Sequence, residues 1–274
     1  MEELVRISGL SHGENLWLGN AQDLIKNGTA TLSEVICLRD DIMTFLISHG
    51  GDPSMSFKTM EAIRKGKHVS PEMEGFMTSI NVPRWYIDSA DKIKYMFPKA
   101  HAAAYVMMAF RIAYYKLNYP LEFYATYLSV RADALALEDV QGGPEDIVAR
   151  IKEIKRDNNS SSKDEDKIPV LEVVYEMMLR GIKLLPLDLY KSQAKRFVIE
   201  DGALRPPFIS VSGIGENAAL ELEKAAKCGK FLSREDFIKR SKANSAVIQK
   251  LEQFGILGDL SATNQMSLFD TVIR

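Results

Sequence analysis

The chain has 274 residues, 46% hydrophobic and 26% charged, with a formal net charge of −2. That length accommodates one large domain or two smaller ones, each with its own core, in an ordinary globular composition. No run of about 18 uncharged apolar residues exists, which excludes a helical membrane span. Two distant cysteines and four scattered histidines make a structural zinc site improbable. The first residues, Met1-Glu2-Glu3-Leu4-Val5-Arg6, lack the basic start and apolar core of a signal peptide, so a reducing cytoplasmic setting is expected. The charge is unevenly spread: −4 over 1–90, +4 over 91–131, −5 over 132–180 and +3 over 181–274. Any nucleic-acid contact must therefore be local.

In chain order, Thr31-Leu32-Ser33-Glu34 is a capping box, predicting a helix from there to Gly50-Gly51. Ser54 or Ser56 is expected to cap the next helix, which carries Met60 and Ile63 and stops near Gly66. A third is predicted from about Pro71 to Ile80 and a fourth from Pro83 through Lys94. The run from about Ala100 to Asn118 is apolar on most faces and is expected to be central to its domain. Pro120 stops it, another helix runs through Arg131, and tyrosines 114, 115, 119, 124 and 127 read as core packing. Gly142-Gly143-Pro144 breaks the pattern before a helix with Ile147, Ile151 and Ile154. Residues 156–167 read as a polar loop or linker, and a helix around Leu171–Leu179 ends at Gly181. Phe197-Val198-Ile199-Glu200 turning at Asp201-Gly202 predicts a β-hairpin. Short helices follow after Gly215, after Ser233, and after Asn244 to Gly255, and a polar tail closes the chain. The fold class is mainly α, a helical first part followed by a small domain with one short hairpin.

Five candidates could carry chemistry. Phe97-Pro98-Lys99-Ala100-His101 opens the long apolar helix with two cationic side chains where N–H groups are unpaired, which suits a phosphate. The plainer reading is a surface lysine and a core-edge histidine. Val211-Ser212-Gly213-Ile214-Gly215 has the pattern of a helix-hairpin-helix turn, whose N–H groups bind a DNA backbone phosphate without reading sequence; a plain glycine turn is the alternative. Gln253-Phe254-Gly255-Ile256-Leu257-Gly258 is a degenerate copy that reads as structural. Gln265-Met266-Ser267-Leu268-Phe269 is a peptide whose apolar side chains can fill a partner's pocket or fold back on their own domain. Arg39 could reach a phosphate or pair with an acid, and Arg64-Lys65-Gly66-Lys67 is solvated charge or a backbone-phosphate contact. No P-loop and no metal-ligand constellation occurs, and the one Asp-x-Asp, Asp164 and Asp166, falls in the polar linker.

Arg6-Ile7-Ser8-Gly9-Leu10-Ser11-His12-Gly13, Trp17-Leu18-Gly19-Asn20-Ala21, Arg39-Asp40-Asp41-Ile42-Met43 and Tyr95–Tyr105 together resemble the PolC-type DNA polymerase III alpha subunit. Asp188–Ala194, Pro206-Pro207-Phe208 and Gln265–Phe269 extend the resemblance over nearly the whole chain, in order, to the C-terminal part of that subunit. It implies that residues 1–180 are a fingers domain, 181–260 a helix-hairpin-helix duplex-binding region and 261–274 a tail that binds the sliding clamp, the beta subunit. It implies nucleotide contacts by Arg39, Lys99 and His101, followed by Arg6 and Lys94, with Phe97 and Ser8–His12 around the pocket. Gly213, Ile214 and Gly215 would touch the duplex backbone; Arg64, Lys65 and Lys67 are added as DNA contacts from their charge alone. Gln265, Leu268 and Phe269 would plug the clamp with Met266 in support. The implied partners are primer-template DNA, a deoxynucleoside triphosphate, the clamp and the rest of the polymerase, with no membrane. Mg2+ would be held by palm carboxylates that this chain lacks, so no polymerisation is expected of it alone. It would be a fragment, a truncated product or one piece of a split subunit. The competing class is a non-enzymatic adaptor that binds DNA and clamp; the blandest is a helical protein with no nucleic-acid role.

Overall fold

Many of the described helices begin where a side-chain oxygen or a proline resolves the unpaired N–H groups of a first turn. The computed structural model describes residues 1–157 and 161–263, and its contacts form two units, Met1–Ala113 and the chain from Tyr114 onward. In the first unit, α1 (Glu2–His12) carries Glu2 and Glu3 in its first turn and His12 in its last, in the sense the helix dipole favours. An irregular turn, Trp17–Ala21, and the short α2 (Gln22–Lys26) follow.

The capping box at Thr31 forms but does not start the predicted helix. Thr31 donates to the Glu34 carboxylate from its N–H and its hydroxyl, both at 2.7 Å, closing only a turn. The chain then runs through Val35-Ile36-Cys37-Leu38, all at most 1% exposed. This buried stretch is not helical, and its Cys37 and Leu38 N–H groups go to a side chain instead. The helix starts at α3 (Arg39–Ser48), where the Asp41 carboxylate accepts the Leu38 N–H at 3.0 Å and the Cys37 N–H at 3.2 Å. Nor do Ser54 or Ser56 cap α4 (Pro53–Ile63): Asp52 accepts the Met55 N–H at 2.8 Å ahead of Pro53, while Ser56 is buried. Ser70 caps α5 (Pro71–Ser79), and α6 (Arg84–Lys92) follows Pro83. The core gathers Ile36, Leu38, Ile42, Leu46, Ile63, Met77, Tyr86 and Ile93. Buried Asn20 ties the irregular turn to α6, donating to the Ser89 carbonyl at 3.1 Å and accepting the Ser89 hydroxyl at 2.6 Å.

The helix that begins in this unit and runs past its end at Ala113, α7 (Lys99–Asn118), departs most from expectation. Only Ala102 and Val106 are buried along it; Tyr105, Met107, Met108, Phe110, Ile112, Tyr114, Tyr115 and Leu117 are exposed. Its composition specifies an apolar surface but not the chain that covers it, so it is not a central helix here. Of the five tyrosines, Tyr124 is fully buried and Tyr127 packs against the core, whereas Tyr114, Tyr115 and Tyr119 are exposed.

After the end of α7 the second unit continues with α8 (Pro120–Val130) and, after Gly143 at φ +94°, α9 (Pro144–Arg156). The expected linker is helical over its described residues outside Asp157, Ser161 and the turn at Asp166. Ser161 and Asp164 form a reciprocal cap on α10 (Ser162–Glu165), and α11 (Lys167–Leu179) begins two residues later. Hydrogen bonds from Ser161 and Lys167 hold the Asp164 carboxyl down at about 2, which accounts for this aspartate as a structural one. The predicted hairpin is present as β1 (Val198–Glu200) antiparallel to β2 (Ala203–Arg205), with Val198 opposite Arg205. Asp201 and Gly202 take φ +51° and +76°, the two left-handed residues of a tight two-residue turn. The core around Tyr124, Phe208 and Phe237 is completed by α12 (Glu216–Lys227), α13 (Arg234–Ser241) and α14 (Ser245–Gln253). Ser233 and Asn244 cap the last two, as their sequence positions predict. Gly255 at φ +71° ends α14, and no helix follows it among the described residues, so the degenerate copy is a structural turn.

Candidate nucleotide and nucleic-acid sites

Two helix starts meet in the first unit. The Arg39 N–H donates to the Phe97 carbonyl at 3.2 Å, and the Lys99 N–H donates to the Asp40 carboxylate at 2.7 Å. The positively polarised ends of α3 and α7 thus share one place, with Arg39 half-exposed on one and Lys99 and His101 exposed on the other. Burial pushes the Asp41 carboxyl up, against Arg6, the Leu38 and Cys37 N–H groups and the charge of Lys99.

An aromatic cluster adjoins these cations. The Phe97 ring lies 4.9 Å from His101, 5.3 Å from His12 and 5.8 Å from Tyr95, and Tyr105 stands 4.7 Å from His101. His12, fixed at the end of α1 by a 2.8 Å contact between Nδ1 and the Ser8 carbonyl, is the member the residue-by-residue sequence reading did not single out. The signal was present, since it ends the Ser8–His12 motif.

Arg6 is placed differently from Arg39. Its guanidinium, 14% exposed, donates to the Leu32 carbonyl at 2.8 Å and the Val35 carbonyl at 2.7 Å, and lies 3.6 Å from Asp41. It closes the turn ahead of α3. Lys94 is exposed, 4.0 Å from the Glu14 carboxylate, on a segment bridged to Glu14 by backbone hydrogen bonds. Arg64 and Lys65 share Glu61, with Arg64 Nη2 at 2.8 Å and Lys65 Nζ at 3.2 Å, which holds the Glu61 carboxyl near 2. Lys67 is exposed. Gly66, at φ +71°, approaches so closely that a Cβ there would lie 2.6 Å from the Lys94 carbonyl oxygen, which sets this basic cluster beside Lys94. The Cys37 thiol is fully buried and pushed up to about 12, which makes it inert.

In the second unit, Gly213 takes φ +90°, Ile214 is buried with its N–H on the Val211 carbonyl at 3.0 Å, and Gly215 leads into α12. Nothing lies within 4 Å of a Cβ built at either glycine, so both face open space. The Ile214 side chain is thus an anchor for the turn, and exposed contact falls to the glycine backbone. The turn borders a groove of about 360 Å³ lined also by Asp133, Ala136 and Lys167. Glu138 sits beside it, accepting Ser212 Oγ at 3.1 Å and Lys250 Nζ at 3.2 Å. Burial works to raise its carboxyl, but its own backbone, Lys250 and Ser212 outweigh that and hold it low. Gln265, Met266, Leu268 and Phe269 lie outside the described residues.

The family model for the bacterial DNA polymerase III alpha subunit finger domain matches residues 1–81, and that for the helix-hairpin-helix motif matches residues 181–266. The chain is 54% identical over 269 residues to a DNA polymerase III PolC-type of Caldanaerobacter subterraneus, and 54% over 268 residues to that of Bacillus cereus. It is 50% identical over 277 aligned residues to that of Streptococcus pyogenes. These alignments take in 97 or 98% of the chain. The chain belongs to the PolC-type DNA polymerase III family. It spans 19% of the length of those relatives, and the two matched models fit a C-terminal part of a PolC-type enzyme. The finger match covers α1 to α5 with Arg6, Arg39 and the Arg64 cluster; the helix-hairpin-helix match covers the Gly213–Gly215 turn. Among the described residues no helix is long and apolar enough to cross a membrane.

Proposed function

We propose that this chain supplies a PolC-type DNA-directed DNA polymerase with incoming-nucleotide contacts, a duplex grip and a clamp-binding tail. The observation that carries the nucleotide role is the meeting of the α3 and α7 starts, which gathers Arg39, Lys99 and His101 beside Phe97, Tyr105 and His12. Two positive helix ends, the Arg39 and Lys99 cations and the His101 ring suit a triphosphate, and the aromatic rings suit the base or sugar. Arg6 acts from behind as a support, and Lys94 with Arg64, Lys65 and Lys67 forms a basic surface suited to strand phosphates.

The donor set does not fit the magnesium pair of phosphoryl transfer. Among the described residues no three His, Cys, Asp or Glu side chains are grouped to hold a metal ion, and Asp164 is committed to a cap. The metal chemistry is therefore assigned to the palm-bearing remainder of the polymerase, in the cytoplasm.

When this chain is combined with a palm-bearing piece, templated synthesis is expected, and Lys99→Ala raises the KM for deoxynucleotide about tenfold or more, the weight of a charged phosphate contact. A complex that forms and ignores Lys99→Ala overturns the nucleotide role; one that binds DNA and clamp yet never synthesises favours the adaptor reading. The second unit is expected to bind duplex DNA without sequence preference, with affinity falling steeply as salt rises and weakened by Gly213→Val. A flat titration overturns that. For the tail, a peptide spanning Asn264–Asp270 should bind the clamp, and Leu268→Ala should abolish it; equal behaviour of the two peptides removes the clamp from the proposal.

A further inference from the structure

Asp40 is negative where its surroundings are positive. Its carboxylate accepts the Lys99 N–H at 2.7 Å, reaching 59 positions along the chain to cap a helix whose own preceding residue, Pro98, has no side-chain acceptor. It also lies 3.9 Å from Arg39 Nε, while its backbone carbonyl accepts the Thr44 hydroxyl at 2.9 Å. Asp41, next in sequence, is engaged elsewhere, on the Leu38 and Cys37 N–H groups and Arg6. One carboxylate therefore starts α3, and the other ties α3 to α7.

We propose that Asp40 is a positioning residue for the nucleotide triphosphate: it locks the start of α7, with Lys99 and His101, to Arg39, while its own charge competes with the phosphates for the same positive ends. This rests on the nucleotide reading above. The two effects have opposite signs, so affinity is tempered in exchange for a fixed geometry. Removing the charge alone tightens binding; removing the acceptor as well returns that gain.

The test is a titration of the full chain with inorganic triphosphate at low salt, following the backbone amide NMR signals of Lys99 to Ala102. Asp40→Asn keeps an oxygen for the Lys99 N–H and loses the charge; Asp40→Ala loses both. Asp40→Asn is expected to bind roughly threefold to tenfold more tightly than the parent. Asp40→Ala is expected to bind at least about threefold more weakly than Asp40→Asn. An Asp40→Asn variant no tighter than the parent, or equal affinities for the two variants, overturns the proposal. Lys99→Ala separates the two levels. If it weakens binding while both Asp40 variants behave as the parent, the inference alone fails; if it changes nothing, the nucleotide reading fails as well. In the reassembled polymerase the Asp40→Asn effect should fall on KM, with kcat within about twofold. Equal loss of kcat in both variants together with loss of the α7 amide pattern marks a purely structural residue and overturns the proposal.

Discussion

Gly9→Ala is expected to lower the stability of the first unit by about 2 kcal/mol, although alanine is the better helix former. Propensity alone predicts a gain of about 1 kcal/mol for glycine to alanine inside a helix. Against it, a Cβ at Gly9 would stand 2.6 Å from the Cys37 carbonyl oxygen and 2.5 Å from the Leu38 side chain. The Cys37 backbone cannot retreat readily, because its N–H is held by Asp41 and its side chain is fully buried. Overpacking against such a wall costs about 3 kcal/mol, so the steric effect wins. Both tryptophans, Trp17 and Trp85, belong to this unit, so urea unfolding followed by tryptophan fluorescence reads it selectively. A variant as stable as the parent, or more so, would show that α1 does not press on the 37–38 segment. Because α1 also carries Arg6 and His12, the same substitution should disturb the α3 start and the aromatic cluster.

Ile214→Ala is expected to cost about 3 kcal/mol in the second unit, the usual range for truncating a buried isoleucine. Ile214 is 3% exposed in the core that also holds Ala219 and Leu222. Its side chain holds the Gly213–Gly215 turn against α12, so DNA affinity should fall with stability. Circular dichroism should show part of the helix signal melting early while the tryptophan transition of the first unit is unchanged. Gly213→Ala makes the informative contrast: it strains a φ of +90° without opening a cavity, and should weaken DNA binding at a smaller cost in stability. Comparable stability loss from both substitutions would remove the anchoring role of Ile214.

The features legible in the sequence are those whose cause is local. Asp201-Gly202 demands left-handed backbone and marks the hairpin; Ser233 and Asn244 announce their helices; Gly181 and Gly255 close theirs. Thr31 misleads because its box is locally satisfied within a turn, while the carboxylate that starts the helix, Asp41, takes the Cys37 and Leu38 N–H groups further on. The nucleotide candidates split along the same line. Lys99 and His101 are legible because a helix start fixes their setting. The task of Arg6 is not, since its acceptors lie 26 and 29 residues away. Asp40 shows the same difficulty: beside Arg39 it looks like a simple ion pair, and its bond to Lys99 exists only in the fold.

The outer faces of α7 also govern how this chain behaves as a colloid. With aromatic and methionine side chains from Tyr105 to Leu117 in contact with water and a net charge of only −2, electrostatic repulsion between molecules is weak. Salts such as sulfate strengthen apolar association. The free chain should therefore salt out early and light scattering should grow with concentration. Low ionic strength favours both handling the protein and detecting its phosphate contacts.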